Sequence, residues 1–292
     1  MTSDDLDRRR HAYREDLAAE KLRGRVKATR FTEGQPRQVV QAAAPLRDKP
    51  DARESWSTEA LYGEQVRVYD ESDGWCWVQL ERDGYVGYLR SGALSTQVKP
   101  ATHRVKALGT FLYPTADVKA APGMALAMNS SLVVAEPGAA FAKLADGGFV
   151  PARHIAALDR FALDFVLVAE SFLGAPYLWG GKTRLGLDCS GLVQVSLQAA
   201  GIEAPRDSDM QQAELGGAVE VQANLDGLER GDLVFWPGHV GIMTSAYLMV
   251  HANAHHMSVV IEPLKAVTGR VARDGPPIAA IRRLPPRAPS EG

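Results

Sequence analysis

Residues 177–202 read YLWGGKTRLGLDCSGLVQVSLQAAGI. Cys189 stands here between an acidic residue and Ser190-Gly191, with an apolar run behind it. From that point Cys189, Leu192, Val193, Ser196, Leu197 and Ala200 recur at helical spacing. They form one face of a helix that begins near Cys189 and stops at Gly201. A cysteine in the first turn of a helix meets unpaired backbone N–H groups and the positive end of the dipole, and both favour thiolate. The same stretch also reads as a buried core thiol, and by itself it does not separate the two.

Working outward, DRFALDFVLVAESFLG (159–174) is a buried or amphipathic helix that ends at Gly174. Downstream, GDLVFW (231–236), HVGIMTS (239–245), LMVHA (248–252) and SVVIEPL (258–264) are β-runs, and IAAIRRL (278–284) closes the sheet. Helices first and an antiparallel sheet after them predict an α+β domain. A nucleophilic cysteine needs a base, and the base needs an orienting group. The histidines in reach are His239, His251, His255 and His256, with His154 at the junction with the preceding segment. His239 opens a β-run directly after Gly238, and His251 closes the next run. The two runs are near enough to form a hairpin, which would make the histidines neighbours. Base and orienter on adjacent strands facing a helix-start cysteine is the papain-like arrangement. A pair of structural histidines would look the same at this level.

The first half of the chain has a different texture. GEQVRVYDESDGWCWVQLERDGYVGYLRSGAL (63–94) alternates apolar and polar residues, with Asp-Gly pairs at 73–74 and 83–84 marking turns. This predicts a small all-β barrel in which Cys76 is a packed thiol. Residues 101–155 repeat the theme more weakly. GGFVPARHIAAL (147–158) parallels DGYVGYLRSGAL (83–94), which suggests two tandem copies of one barrel. Ahead of both, Leu6, Tyr13, Leu17 and Leu22 give a charged segment a thin apolar stripe, read as a surface helix. The expected organisation is helix and linker over 1–37, barrels over 38–98 and 99–156, the α+β domain over 157–285, and a tail over 286–292.

Composition narrows the function classes. The 292 residues carry a formal net charge of -2, which gives no reason to expect a nucleic-acid partner. Two cysteines, Cys76 and Cys189, do not make a disulfide framework, and free thiols favour a reducing compartment. The charged N-terminus lacks the pattern of a secretory signal, and no apolar run is long enough to span a bilayer. The expectation is a cytoplasmic protein with no membrane partner. His251, His255 and His256 lack a matching cysteine or carboxylate cluster at ligand spacing, so no metal and no cofactor is expected.

YLWGGKTRLGLDCSGLV, GDLVFWPGHVGI and HANAHHMSV resemble, in order, the three motifs of the NlpC family of cell-wall cysteine peptidases. The resemblance covers residues 160–284. It implies a papain-like α+β catalytic domain in which Cys189 is the nucleophile, His239 the general base and His251 the orienting residue. It further implies that Asp188 and Ser190 flank the nucleophile, that Tyr177 lines the oxyanion site and that Ser208 lies near the D-glutamyl part of the substrate. Trp179 is either core or pocket wall. The front half is similar to the two bacterial SH3-like domains that precede the peptidase in γ-D-glutamyl-L-diamino-acid endopeptidases. There LYGE (61–64) and DGYVGYL (83–89) make Glu64 and Tyr85 the candidates for holding the free amine of L-Ala.

The substrate implied is a released murein peptide such as L-Ala-γ-D-Glu-meso-diaminopimelate, and the role implied is recycling. Two other readings stay open. One is an amidase or acyltransferase on the same fold; the other is a non-catalytic protein that binds wall peptides.

Overall fold

The computed structural model describes residues 6–220 and 225–285. The expected tail, 286–292, lies outside them. The chain divides into two compact units. One holds the residues up to Phe161 together with Trp179–Thr183, and the other holds Ala162–Leu178 and the residues from Arg184 onward.

In the first unit, strands Gln35–Val39, Gln65–Ser72, Trp75–Leu80, Val86–Arg90 and Leu94–Ser95 form one five-stranded sheet, beside the hairpin Ala43–Leu46 with Thr58–Leu61. Asp73 and Gly74 both take positive φ, as a two-residue hairpin turn between Ser72 and Trp75 requires. Cys76, Val78 and Leu80 point into the core with Val39, Leu46, Val66 and Leu89. Cys76 is packed there, in line with its strand position. The opposite face of the same strand is buried as well, because Trp77 packs with Tyr69, Val86, Tyr13, Leu17 and Leu22.

That second layer corrects the N-terminal expectation. Residues 6–26 contain no α-helix, only the short strand Leu17–Ala19 and a 3-10 turn at Glu20–Leu22. Tyr13, Leu17 and Leu22 do bury, but as an extended cover on the barrel. Arg14 pins it: its guanidinium lies 4.4 Å over the Trp77 ring, 2.7 Å from Asp70 and 3.0 Å from the Tyr88 hydroxyl. A long-range apolar surface outweighs weak local helix preference.

Residues 103–157 form a further all-β module. Strand His103–Val105 lies between Ser131–Leu132 and Ile155–Ala157, over a core of Val105, Leu126, Leu132, Leu144, Val150 and Ile155. The two sequence-similar segments close their modules alike. Val86–Arg90, a 3-10 turn at Ser91–Ala93 and Leu94–Ser95 match Phe149–Pro151, a 3-10 turn at Ala152–His154 and Ile155–Ala157.

The second unit is α+β. Its helices are α1 (Phe165–Glu170), α2 (Cys189–Ala199), α3 (Ser208–Glu214) and α4 (Leu264–Asp274). Its strands are β1 (Gly217–Ala218), β2 (Leu233–Trp236), β3 (His239–Met243), β4 (Leu248–Asn253), β5 (Ser258–Pro263) and β6 (Ala280–Arg283), antiparallel in the order β1-β6-β2-β3-β4-β5. α2 packs across β3 and β4. Val234, Trp236, Met243, Met249 and Ile281 pack on Leu264 and Val267 of α4. Leu233, Phe235 and Ile242 are buried too. Burial of both faces explains why β2 and β3 read as continuous apolar runs rather than alternating ones.

Candidate active site

Asp188 caps α2 in an extended conformation and accepts the Gly191 N–H at 2.7 Å, which makes Cys189 the first helical residue. α2 is apolar nearly all round and ends before Gly201, whose φ is +76°. This places the cysteine at the helix start and beneath the sheet. Its sulfur lies 4.0 Å from the Gly238 carbonyl oxygen, and the N–H groups of Val240 and Ser190 hydrogen-bond toward it. The residues on both sides of His239 therefore touch Cys189.

The charge balance differs from the one the helix start alone predicts. Burial pushes the Cys189 thiol up to about 12, and the Asp188 charge adds to that, against the backbone N–H groups and Arg206. Burial also pushes His239 down to about 3, with His251 next among the causes. The resting pair is thus a neutral thiol beside a neutral imidazole. The helix dipole is the weaker effect because desolvation disfavours any isolated charge here.

His239 follows the two-residue turn Pro237-Gly238 that joins β2 to β3, in a register that pairs it with Trp236. Gly238 holds φ +76°, which strains any other residue. The ladder between β3 and β4 pairs Ile242 with Val250, so His251 lies diagonally across from His239. His239 Nε2 and His251 Nδ1 are 2.8 Å apart. His251 is 1% exposed. Its other nitrogen lies 2.8 Å from Glu262 Oε1 on β5 and 3.0 Å from Asn253 Nδ2 on β4. Arg270 of α4 grips Glu262 through both carboxylate oxygens, at 2.6 and 3.0 Å.

Tyr177 is half-buried and hydrogen-bonds through its backbone N–H to the Met257 carbonyl. Its phenol is raised to about 12 by burial first, then by the charges of Cys189 and Asp188. The hydroxyl thus senses the thiol. Beside the cap, Arg206 is 1% exposed and donates to both Asp188 oxygens at 2.9 and 2.7 Å and to Ser190 Oγ at 2.8 Å. Gln211 donates to the carbonyls of Ser190 and Pro205, which ties α3 to the start of α2. Ser208, the first residue of α3, is half-buried two positions after Arg206.

Three candidates belong to the first unit. Glu64 is buried in the first unit, where it accepts the Leu61 N–H at 3.0 Å and pairs with Arg82 at 3.2 Å. Tyr85 is buried in the core of the same barrel with Val39, Val66 and Leu80. Both were candidates for holding the free amine of L-Ala. Gly63 and Gly84, which precede them, hold positive φ. Trp179 is 62% exposed, so it is not core. It belongs to the segment 179–183 of the first unit, in which the Lys182 N–H donates to Glu59 at 2.6 Å. His255 and His256 are exposed, and their rings meet edge to face.

Sequence reasoning missed Arg206, Gln211, Asn253, Glu262 and Arg270. The one available signal was an acidic residue, Glu262, inside an otherwise apolar β-run.

The segment that carries this site is similar to known proteins. Residues 174–269 match the NlpC/P60 family, and residues 46–94 match the bacterial dipeptidyl-peptidase SH3 domain. Dipeptidyl-peptidase 6 of Lysinibacillus sphaericus is 27% identical over 240 residues, covering 74% of this chain and 86% of the relative. Gamma-D-glutamyl-L-lysine dipeptidyl-peptidase of Bacillus subtilis is 28% identical over 230 residues, covering 70% and 74%. The crystal structure of an NlpC/P60 family protein from Bacillus cereus shares the fold. It has a TM-score of 0.70 at 22% identity and covers 86% of this chain and all of that one. Among the described residues no helix is long and apolar enough to cross a membrane. The helix-start cysteine and the paired histidines thus lie within an NlpC/P60 domain, residues 174–269, preceded in the sequence by a bacterial SH3 domain, residues 46–94.

Proposed function

We propose that this protein is a cytoplasmic cysteine peptidase that hydrolyses the γ-D-glutamyl–diamino-acid bond of released murein peptides with a free N-terminal L-Ala, in cell-wall peptide recycling. The observation that carries the reading is the buried Cys189 at the start of α2, flanked by the neighbours of an imidazole that is itself hydrogen-bonded to a second imidazole. The names of the two relatives supply the bond and the dipeptide product. Release of a dipeptide from the amino end implies a free amine on the substrate.

In the mechanism, His239 takes the thiol proton as the Cys189 sulfur attacks the γ-carbonyl carbon, because the thiol is neutral at rest. Backbone N–H groups at the start of α2 and the Tyr177 hydroxyl meet the oxyanion; such donors contribute about 3 kcal/mol each. His239 protonates the departing amine, and water then opens the thioester. Asp188, Arg206 and Ser190 fix the floor of the site, with Ser190 and Ser208 on the D-glutamyl side. Glu64 and Tyr85 take no part in this proposal. The second all-β module is inferred to be a second SH3-like copy, supported by the shared strand–turn–strand close.

The test is cleavage of L-Ala-γ-D-Glu-meso-diaminopimelate beside its N-acetylated twin, with Cys189→Ala as control. Release of L-Ala-γ-D-Glu from the free peptide alone supports the proposal. Cleavage of neither removes it, and equal cleavage of both removes the free-amine requirement.

A further inference from the structure

The environment of His251 contains two demands that a single neutral imidazole cannot meet together. Glu262 Oε1 can only accept, so its 2.8 Å contact requires the proton on His251 Nε2. The Asn253 amide is oriented by its own oxygen, which accepts the His256 N–H at 2.8 Å. That leaves its NH2 group facing His251 Nε2 at 3.0 Å, where it requires a lone pair.

The choice passes along the chain of rings. With the proton on His251 Nε2, Nδ1 is bare and accepts from His239 Nε2, 2.8 Å away. The remaining nitrogen of His239, Nδ1, is then bare and can act as a base. With His251 Nε2 bare, the proton sits on Nδ1 and is donated to His239 Nε2. Then His239 Nδ1 carries a proton and cannot take one from a thiol. One arrangement makes His239 a base and the other disables it.

We infer that Glu262, clamped by Arg270, is a positioning residue that sets the proton arrangement of the His239–His251 pair, and that Asn253 favours the disabled alternative whenever the carboxylate is lost. The inference rests on the reading of Cys189 and His239 as nucleophile and base. A hydrogen bond to a carboxylate is roughly twice as strong as one from a neutral amide, so Glu262 prevails. Burial works to raise the Glu262 carboxyl, but Arg270 and then His251 override it and hold it ionised. The other titratable neighbour is His256, whose Nε2 is 3.5 Å from Glu262 Oε1.

The test uses the full chain. Nitrogen-15 NMR of the histidine rings at neutral pH reads which ring nitrogens carry protons, with His239→Gln and His251→Gln for assignment. Alkylation of Cys189 by iodoacetamide reads base strength without any peptide substrate. Wild type is expected to show bare Nδ1 on both rings. Glu262→Ala is expected to move the protons to Nδ1 and slow alkylation by about 10- to 100-fold, against about 10⁴ in kcat for a mis-set tautomer in a serine triad.

Asn253→Asp in the Glu262→Ala background keeps the oxygen that serves His256 and turns the donor into an acceptor. It is expected to restore both readouts, which a merely structural role for Glu262 would not allow. A wild type with protonated Nδ1, or rings unmoved in Glu262→Ala, overturns the inference. So does a failed rescue. Failure of murein-peptide cleavage with the expected ring pattern counts against the proposed substrate and leaves the inference standing.

Discussion

Replacing Arg206 by methionine tests whether the floor of the site is built on charge. The guanidinium makes two bonds to Asp188 and one to Ser190 Oγ, all between 2.7 and 2.9 Å. The side chains of Arg206 and Asp188 are only 1% and 9% exposed, so solvent screens the pair little. Removing one partner of such a pair strands the other charge, at a cost of about 3–5 kcal/mol. Adding Asp188→Asn removes the stranded charge and keeps an oxygen for the Gly191 N–H. The double variant should therefore lose at least about 2 kcal/mol less than the sum of the two singles. The assay is hydrogen exchange of the α2 amides from Leu192 to Ala199, which reads local opening and does not require the two units to unfold together. Additivity within about 0.5 kcal/mol would refute the reasoning. A second consequence follows from the charge balance at the thiol, which Asp188 raises and Arg206 lowers. Arg206→Met alone should slow Cys189 alkylation, and the double variant should recover it.

Two further outcomes are expected. Burial holds His239 at about 3, below its ordinary 6.5, and lowers His251 as well. Between those values the unfolded chain binds more protons, so the stability these residues contribute is complete above pH 6.5 and is lost as pH falls toward 3. Urea midpoints over that range should fall less steeply in His239→Gln, and an unchanged slope would count against a buried neutral imidazole. Cys76 is buried in the first barrel, and its thiol is raised by that burial. Mass spectrometry after native alkylation should find Cys76 unmodified, with labelling only after unfolding. Rapid native labelling would contradict the packed strand.

Legibility in the sequence follows how local the deciding physics is. α2 announces itself because its cap, period and terminating glycine all lie between Asp188 and Gly201. The β2 and β3 runs are readable because continuous apolar character marks burial on both faces. The N-terminal segment misleads because its stripe of Tyr13, Leu17 and Leu22 is apolar for the sake of Trp77 and Val86, which lie far along the chain. The burial of Glu64 and Tyr85 is illegible for the converse reason. A glutamate and a tyrosine beside turns carry no local sign that they pack on Arg82 and in the barrel core. Arg206 and Arg270 carry no local signal, since a charged side chain gains its meaning only from its partner.

The two arginines that escaped the sequence hold carboxylates whose charges bear on the sulfur in opposite ways. A buried thiol and a buried imidazole are both driven to neutrality, so catalysis depends on a proton that moves only when the acceptor nitrogen is bare and the nearby charges permit it. Asp188 is needed as a helix cap, yet its charge opposes thiolate formation one residue away. Arg206 offsets that charge without removing the cap. Glu262 is needed as a charge, yet burial favours its neutral form. Arg270 keeps it ionised where His251 can use it. Swapping the acids for their amides therefore predicts opposite results at the sulfur. With Arg206→Met already in place, Asp188→Asn should raise thiol reactivity. Glu262→Gln in the wild type should lower it, because the amide no longer compels the proton onto His251 Nε2. Equal effects of the same sign would mean that the site responds to total charge and not to where each charge stands.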